Sequence, residues 1–188
     1  MKGRIIFYIL LVVNSYLFSQ SDTPFSSYDF NKDLEYQKTL SEIKDIEIDK
    51  EGYKLLSDLA YQKKDHIRAI KFLQKRLELG ERNVNIHYNI GGNASIIAKR
   101  NKNFKGIKYV EIAKYHFKKA LELKENHIPS LVALAKLYIQ LPNFLGGTDF
   151  KGRMYSNKLL KYDLIEGNLM NGFIFEINKN FDSAKEKY

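Results

Sequence analysis

Paired helical segments recur along most of this chain, and this recurrence limits its fold more than any other feature. Apolar residues at helical spacing predict one helix over 53–60 and a second over 67–77, with a turn at Lys63-Lys64-Asp65 and a stop at Gly80. Further pairs are predicted to begin at three points: near Ile86, Pro129 and Glu166. Two amphipathic helices cannot bury both faces of their hairpin, so the pairs must stack on one another.

Each pair carries small and apolar residues at the same relative positions. On the first helix an apolar residue adjoins a small one, and an aromatic position follows three residues later. On the second helix a small residue is followed by an aromatic position four residues later and by another small residue after three more. The matching residues, pair by pair, are Leu56, Ser57, Ala60, Ala69 and Leu73; Ile90, Gly91, Ala94, Ala113, Phe117 and Ala120; Leu134, Ala135, Tyr138 and Gly152; and Gly172, Phe175, Ala184 and Tyr188.

This arrangement resembles the tetratricopeptide repeat, a helical hairpin of about 34 residues. The nine-residue spacing from Ala60 to Ala69, and from Phe175 to Ala184, is that of the family. The resemblance covers about residues 50–188. It implies an all-α fold of stacked antiparallel helical hairpins, a tetratricopeptide-like (TPR-like) α-solenoid of about three and a half repeats. It also implies a protein or peptide partner.

Two hairpins depart from the repeat by having longer connections. About ten extra residues are predicted over 101–109, which places the start of the following helix at Ile107 or Tyr109. About five are predicted over 141–147, where Pro142 ends one helix, two glycines turn the chain, and Thr148 or Asp149 caps the next helix. Glycines before a helix can hold a phosphate, but here every residue has a structural use. In the pair Gly91-Gly92, Gly91 is likewise interpreted as a close-packing position and not as part of a phosphate loop.

The N-terminal residues 1–21 are predicted to be a signal peptide. Lys2 and Arg4 precede an unbroken apolar run over 5–13, and small residues follow at 19–21. That run is shorter than the roughly twenty residues of a spanning helix, although an uncleaved anchor or a first core helix are the alternatives. The mature protein is therefore expected to be exported, in a bacterial periplasm or at the cell surface.

Residues 22–49 are predicted to be an N-terminal lead-in to the repeat domain, which occupies 50–188. The lead-in contains one possible helix over 34–48. Its apolar positions recur with an imperfect helical period, at Leu34, Leu40, Ile43 and Ile46.

The sequence offers no catalytic or metal-binding constellation. There is no Cys, which excludes disulfides and thiolate chemistry, and no Gly-x-Ser-x-Gly nucleophile motif. The repeat register separates the four His by about one hairpin each, which argues against a shared metal. These are His66, His87, His116 and His127. A non-enzymatic protein without a cofactor is predicted.

The chain is basic, with a formal net charge of +9 and a cluster of Lys and Arg over 99–119. Such a cluster suits an acidic partner or weak contact with an anionic membrane surface. Nucleic acid is disfavoured because an exported protein seldom meets it. A solvated helix face remains the simplest interpretation of the cluster.

The concave face of a repeat array is lined by the first helix of each hairpin, and it is the predicted partner-binding surface. Tyrosine, asparagine and a few charges suit an extended peptide or another protein. By register the residues on this face are Lys54, Asp58, Tyr61, Asn85, Tyr88, Asn89, Lys136, Gln140 and Phe173. Lys54 and Asn89 match two positions of the family's clamp for chaperone C-terminal carboxylates, but Asp58 would repel a carboxylate, so that role is not carried over.

These features favour a protein-interaction scaffold in the cell envelope. The alternative is a periplasmic binder of a peptide or small ligand associated with a transport system. Self-association is a further hypothesis, because the last hairpin is interrupted and leaves an apolar face. That face comprises Phe173, Phe175, Ile177, Phe181 and Tyr188.

Overall fold

The computed structural model describes residue 29, residue 31, and residues 33–44, 47–101 and 104–188. The predicted signal peptide lies outside the described residues, as do most of the lead-in up to residue 33, Ile46 and Lys102. Within the described ranges the chain is helical and contains no strand. None of their helices is both long and apolar enough to span a membrane.

The helices fall into two compact units, one ending at Arg82 and the other running from Asn83 to Tyr188. The first unit holds α1 (Leu34–Glu42), α2 (Lys50–Gln62) and α3 (His66–Glu78). The second unit holds α4 (Val84–Arg100), α5 (Phe104–Leu123), α6 (Ile128–Gln140), a 3₁₀ turn (Asn143–Leu145), α7 (Asp149–Tyr162), α8 (Leu164–Ile177) and α9 (Phe181–Lys185). The predicted helical hairpins are α2–α3, α4–α5, α6–α7 and α8–α9, whose members contact each other.

The α2–α3 hairpin of the first unit turns where the sequence predicted. Lys64 has a positive φ of 56°, and the Asp65 side chain caps α3 by accepting from the Arg68 N–H. Ala60 and Ala69 are fully buried at the contact between the helices, as their repeat positions predicted. They join a core with Leu56, Phe72 and partly buried neighbours, namely Leu40, Ile43, Ile48 and Tyr53.

The first helix, α1, is shorter than the predicted span of 34–48 and uses a different stripe. It ends at Glu42, and Leu34 is 83% exposed. The buried positions are Tyr36 and Thr39, and the partly buried Leu40 and Ile43 continue the same face. Residues 36, 39, 40 and 43 follow the i, i+3, i+4, i+7 pattern of one helix face, which Leu34 does not fit.

The extra residues of the α4–α5 hairpin lengthen its helices instead of forming a long loop. The prediction that α5 starts at Ile107 or Tyr109 is wrong, because this helix begins at Phe104. Only residues 101–103 connect it to α4. Gly106 permits so tight a turn, since a Cβ there would lie 1.8 Å from the Asn101 carbonyl oxygen.

The α6–α7 connection has the predicted structure. Pro142 follows α6 within two residues, Gly146 adopts a left-handed φ of 82°, and the Thr148 hydroxyl accepts from the Lys151 N–H to cap α7. The Thr148 N–H also donates to the Tyr138 carbonyl at 3.0 Å. These bonds hold the connection against the end of α6.

Candidate partner-binding surfaces

In the first unit, the predicted partner-binding residues form one exposed row along α2. Lys54, Asp58 and Tyr61 are spaced by four and three residues, so they share a helix face opposite the buried Leu56 and Leu59. The Tyr61 side chain is 56% exposed. Partial burial raises the pKa of the Asp58 carboxyl, although Arg76 and Lys54 oppose that shift. This row offers an aromatic ring and two charged groups of opposite sign.

In the second unit, α4 carries three of the predicted residues, and they differ in exposure. Asn85 and Asn89 are exposed, whereas Tyr88 is partly buried. The Tyr88 ring packs 5.9 Å from Phe117 and edge-on to His127 at 5.4 Å, measured between ring centroids. Tyr88 therefore contributes to the packing of the unit as well as to its surface.

The other three predicted residues lie on α6 and α8, each of which is the first helix of its hairpin. Two of the three lie close together across these helices. Lys136 and Gln140 are exposed on α6, and Phe173 is partly buried on α8. The Lys136 Nζ atom lies 5.8 Å from the centroid of the Phe173 ring, a cation–π distance. The predicted surfaces of α6 and α8 are thus adjacent. Gln140 also lines a cavity that the sequence did not reveal.

The apolar face predicted at the last hairpin is partly covered. Phe181 is 67% exposed and Ile177 is 48% exposed. Phe175 is partly buried, with the Arg153 guanidinium 5.0 Å from its ring centroid. Tyr188 is 61% exposed, yet its ring reaches Gly172, where an added Cβ would lie 2.6 Å from the Tyr188 Cε1 atom.

The basic stretch over 99–119 has members with different roles. Lys114 is structural, because its Nζ atom donates to the Leu145 carbonyl at 3.2 Å and pairs with Glu111. Lys119 pairs with Glu122 at 2.6 Å. Lys99 is exposed and has no ion pair with any residue that the structure describes. The stretch is therefore not one uniform anion-binding surface.

Two of the four His lie together, contrary to the separation predicted from the repeat register. The Nδ1 atoms of His87 and His116 are 2.9 Å apart, because α4 and α5 are antiparallel and place these residues side by side. Burial lowers the pKa of His116 to about 4, and the nearby His87 adds to the shift. Burial and then Lys119 lower the pKa of His87. No group of three or more metal-ligating side chains occurs among the described residues.

We expect the unfolding free energy to fall as the pH drops from about 6.5 towards 4. Because the pKa of His116 is lowered, the folded protein keeps this side chain neutral at a pH where the unfolded chain already binds a proton. The full unfolding free energy is therefore present above the unfolded pKa and decreases as the pH falls below it. The loss is at most about 1.4 kcal/mol per pH unit for each proton. Urea denaturation at pH 7 and pH 5 should show that the unfolding free energy decreases less between these two pH values for His116→Phe than for the wild type. His87 and His127, whose pKa values are also lowered by burial, stay in both proteins and contribute equally to their losses. An equal loss in the two proteins would therefore contradict the assignment to His116.

No protein-family model and no curated protein sequence matches this chain. Among solved structures it is similar to a thermophilic TPR protein from Thermus thermophilus, with a TM-score of 0.61 and 13% sequence identity. The similarity covers 100% of this chain and 88% of the other. At this identity it concerns the fold alone, and it confirms the predicted class of stacked helical hairpins.

Proposed function

We propose that this chain, which has a TPR-like fold, is a non-enzymatic protein-interaction scaffold of the bacterial cell envelope. Its partner, a protein or an extended peptide, binds the faces of the first helices, on α2 in the first unit and on α4, α6 and α8 in the second. The envelope location is supported by the N-terminal sequence, where Lys2 and Arg4 precede an apolar run over 5–13.

The observation that carries this proposal is the exposure of polar and aromatic side chains on first helices. Tyr61 exposes more than half of its surface, and Asn85 and Asn89 are exposed on one face of α4. Tyrosine offers a large contact area with a polar end, and asparagine can both donate to and accept from a peptide backbone. A peptide laid along such a face would find both kinds of contact.

The second candidate is a periplasmic binder of a peptide or small ligand that serves a transport system. A cavity of about 740 Å³ in the second unit favours it, because cavities of this size commonly hold small molecules. The two candidates differ in what co-purifies. A scaffold retains a protein, whereas a ligand binder retains a small molecule.

Affinity capture from envelope extract, using the chain from Asp22, tests the scaffold in the first unit. We expect Tyr61→Ala to reduce recovery of the partner by about fivefold or more, since exposed aromatic residues are frequent hot spots. Tyr115→Ala is the matched control. Tyr115 is also 56% exposed, but it lies on α5, the second helix of its hairpin. Equal recovery by both variants would contradict binding on the α2 face.

The second unit needs a different probe, because Tyr88→Ala would also remove packing against Phe117. The exposed pair Asn85→Glu and Asn89→Glu changes the α4 face without touching the core. If the double variant captures the partner as the wild type does, the α4 face is not a binding surface. Recovery of only further copies of this chain would instead support self-association, for which the exposed Ile177 and Phe181 are the candidates.

A further inference from the structure

The two departures from the repeat meet in the second unit and form a cavity. One wall comes from the end of α4 and the start of α5, and includes Phe104 and Val110. The other comes from the end of α6 and the 3₁₀ turn, and includes Leu137 and Phe144. The cavity has a volume of about 740 Å³. The cavity therefore lies where the lengthened helices of the α4–α5 hairpin meet the connection that follows α6.

The described backbone of both walls makes close contacts without a ligand. At Gly147, a Cβ would lie 1.8 Å from the Leu141 carbonyl oxygen, and at Gly106 it would lie equally close to that of Asn101. The Gly147 N–H donates to the Pro142 carbonyl at 3.2 Å. Lys114 on α5 ties the two walls together through the Leu145 carbonyl. A preformed cavity binds with little ordering cost.

The lining is strongly apolar and includes two aromatic rings that water would otherwise surround. Phe104 is 90% exposed and Phe144 is 81% exposed. Most of the other lining side chains are aliphatic. Covering exposed phenyl rings at a concave site with an apolar molecule removes apolar surface from water, which favours binding. The interior therefore suits a hydrocarbon chain.

The polar part of the cavity is positive. Among the described residues that line it, Lys99 is the one charged residue and none carries a carboxylate. Lys99 is exposed, so it lies at the opening, and within the described part of the chain it has no ion pair. An anionic group at the opening would complement this charge.

We propose that this cavity binds a single-chain anionic amphiphile, such as a fatty-acid carboxylate, with its hydrocarbon chain between Phe104 and Phe144 and its carboxylate at Lys99. This goes beyond the scaffold function, because the site is formed by two connections and not by the row of first-helix side chains. Gln140 is shared by both surfaces.

Isothermal titration calorimetry with dodecanoate, kept below its micelle concentration, tests the proposal on the chain from Asp22. We expect one dodecanoate per chain, with dodecanol binding about fivefold more weakly and dodecylamine more weakly still, because an exposed ion pair contributes modestly. Equal affinity for dodecanoate and dodecylamine would overturn the role of Lys99. Binding to phosphatidylglycerol vesicles without binding of free dodecanoate would overturn the proposal in favour of a membrane contact.

Two pairs of variants locate the site. The double variant with Phe104→Ala and Phe144→Ala should weaken dodecanoate binding about tenfold or more. The control variant Phe150→Ala should not change this affinity. Phe150 is 78% exposed but does not line the cavity. Lys99→Glu should weaken dodecanoate binding about tenfold and leave dodecanol unchanged, with Arg100→Glu as the neighbouring control. All of these positions are exposed, so far-UV circular dichroism should stay unchanged. An unaltered dodecanoate affinity in the Phe104/Phe144 variant would overturn the site.

Discussion

Gly91→Ala is expected to destabilise the second unit by about 1–3 kcal/mol, although alanine is the better helix former. A Cβ at Gly91 would lie 2.7 Å from the Cδ1 and Cε1 atoms of the Phe117 ring. That ring is only 3% exposed and packs against Tyr88, so it has little room to move. Overpacking therefore outweighs the gain in helix propensity.

Gly92→Ala is the matched control, at the next residue of the same helix. Nothing lies within 4 Å of a Cβ added there. With no clash to oppose it, the substitution should stabilise the protein by about 0.5–1 kcal/mol through helix propensity alone. Urea denaturation followed by circular dichroism at 222 nm measures both values. Two variants that gain stability equally would show that the α4–α5 contact is looser than the structure has it.

The small-residue positions are the part of the fold that the sequence predicts best. Ala113, Ala120 and Ala135 are fully buried, and the repeat register alone predicts each of them. The need for a small side chain at such a position arises from packing within one hairpin or against the next. The same need therefore recurs in each repeat along the chain. The helical period and the turn residues place most helix ends within a few residues for the same reason.

The features that the sequence did not reveal depend on contacts outside the repeat register. Tyr36 is fully buried and its hydroxyl donates to Asp65, a contact between residues 29 apart that no periodicity predicts. His87 and His116 are 29 residues apart in the sequence and meet across the antiparallel helices α4 and α5. The cavity at Phe104 and Phe144 combines two connections that lie far apart in the sequence, and nothing in either one predicts that they meet.

The contact between Tyr36 and Asp65 gives the second large effect. Asp65 is 2% exposed. Its Oδ2 atom accepts from the Tyr36 hydroxyl at 3.1 Å and from the Arg68 guanidinium at 2.6 Å, while Oδ1 accepts from the Arg68 N–H at 3.1 Å. One carboxylate therefore caps α3, pairs with a cation and fixes α1.

Asp65→Ala should lower the unfolding free energy by about 3–4 kcal/mol. Loss of a helix cap accounts for about 1 kcal/mol, and loss of buried hydrogen bonds to a charged group accounts for about 2–3 kcal/mol. Asp163→Ala removes a cap alone, since the Asp163 carboxylate accepts from the Glu166 N–H at 3.0 Å, and it should cost about 1 kcal/mol. If the two substitutions cost the same, the buried contacts of Asp65 contribute nothing.

Tyr36→Phe separates the contribution of the hydroxyl from that of the cap. It removes the bond to Asp65 but leaves Asp65 to cap α3 and to pair with Arg68, so it should cost about 1–2 kcal/mol. In a protein that already carries Asp65→Ala, the Tyr36 hydroxyl has lost this acceptor. Adding Tyr36→Phe to that protein should therefore cost less than it does in the wild type. A double-mutant cycle should therefore give a coupling of about 1 kcal/mol. Strict additivity would mean that the Tyr36–Asp65 bond does not help to hold α1, which would then depend on its apolar stripe and on the ion pair between Asp33 and Lys63.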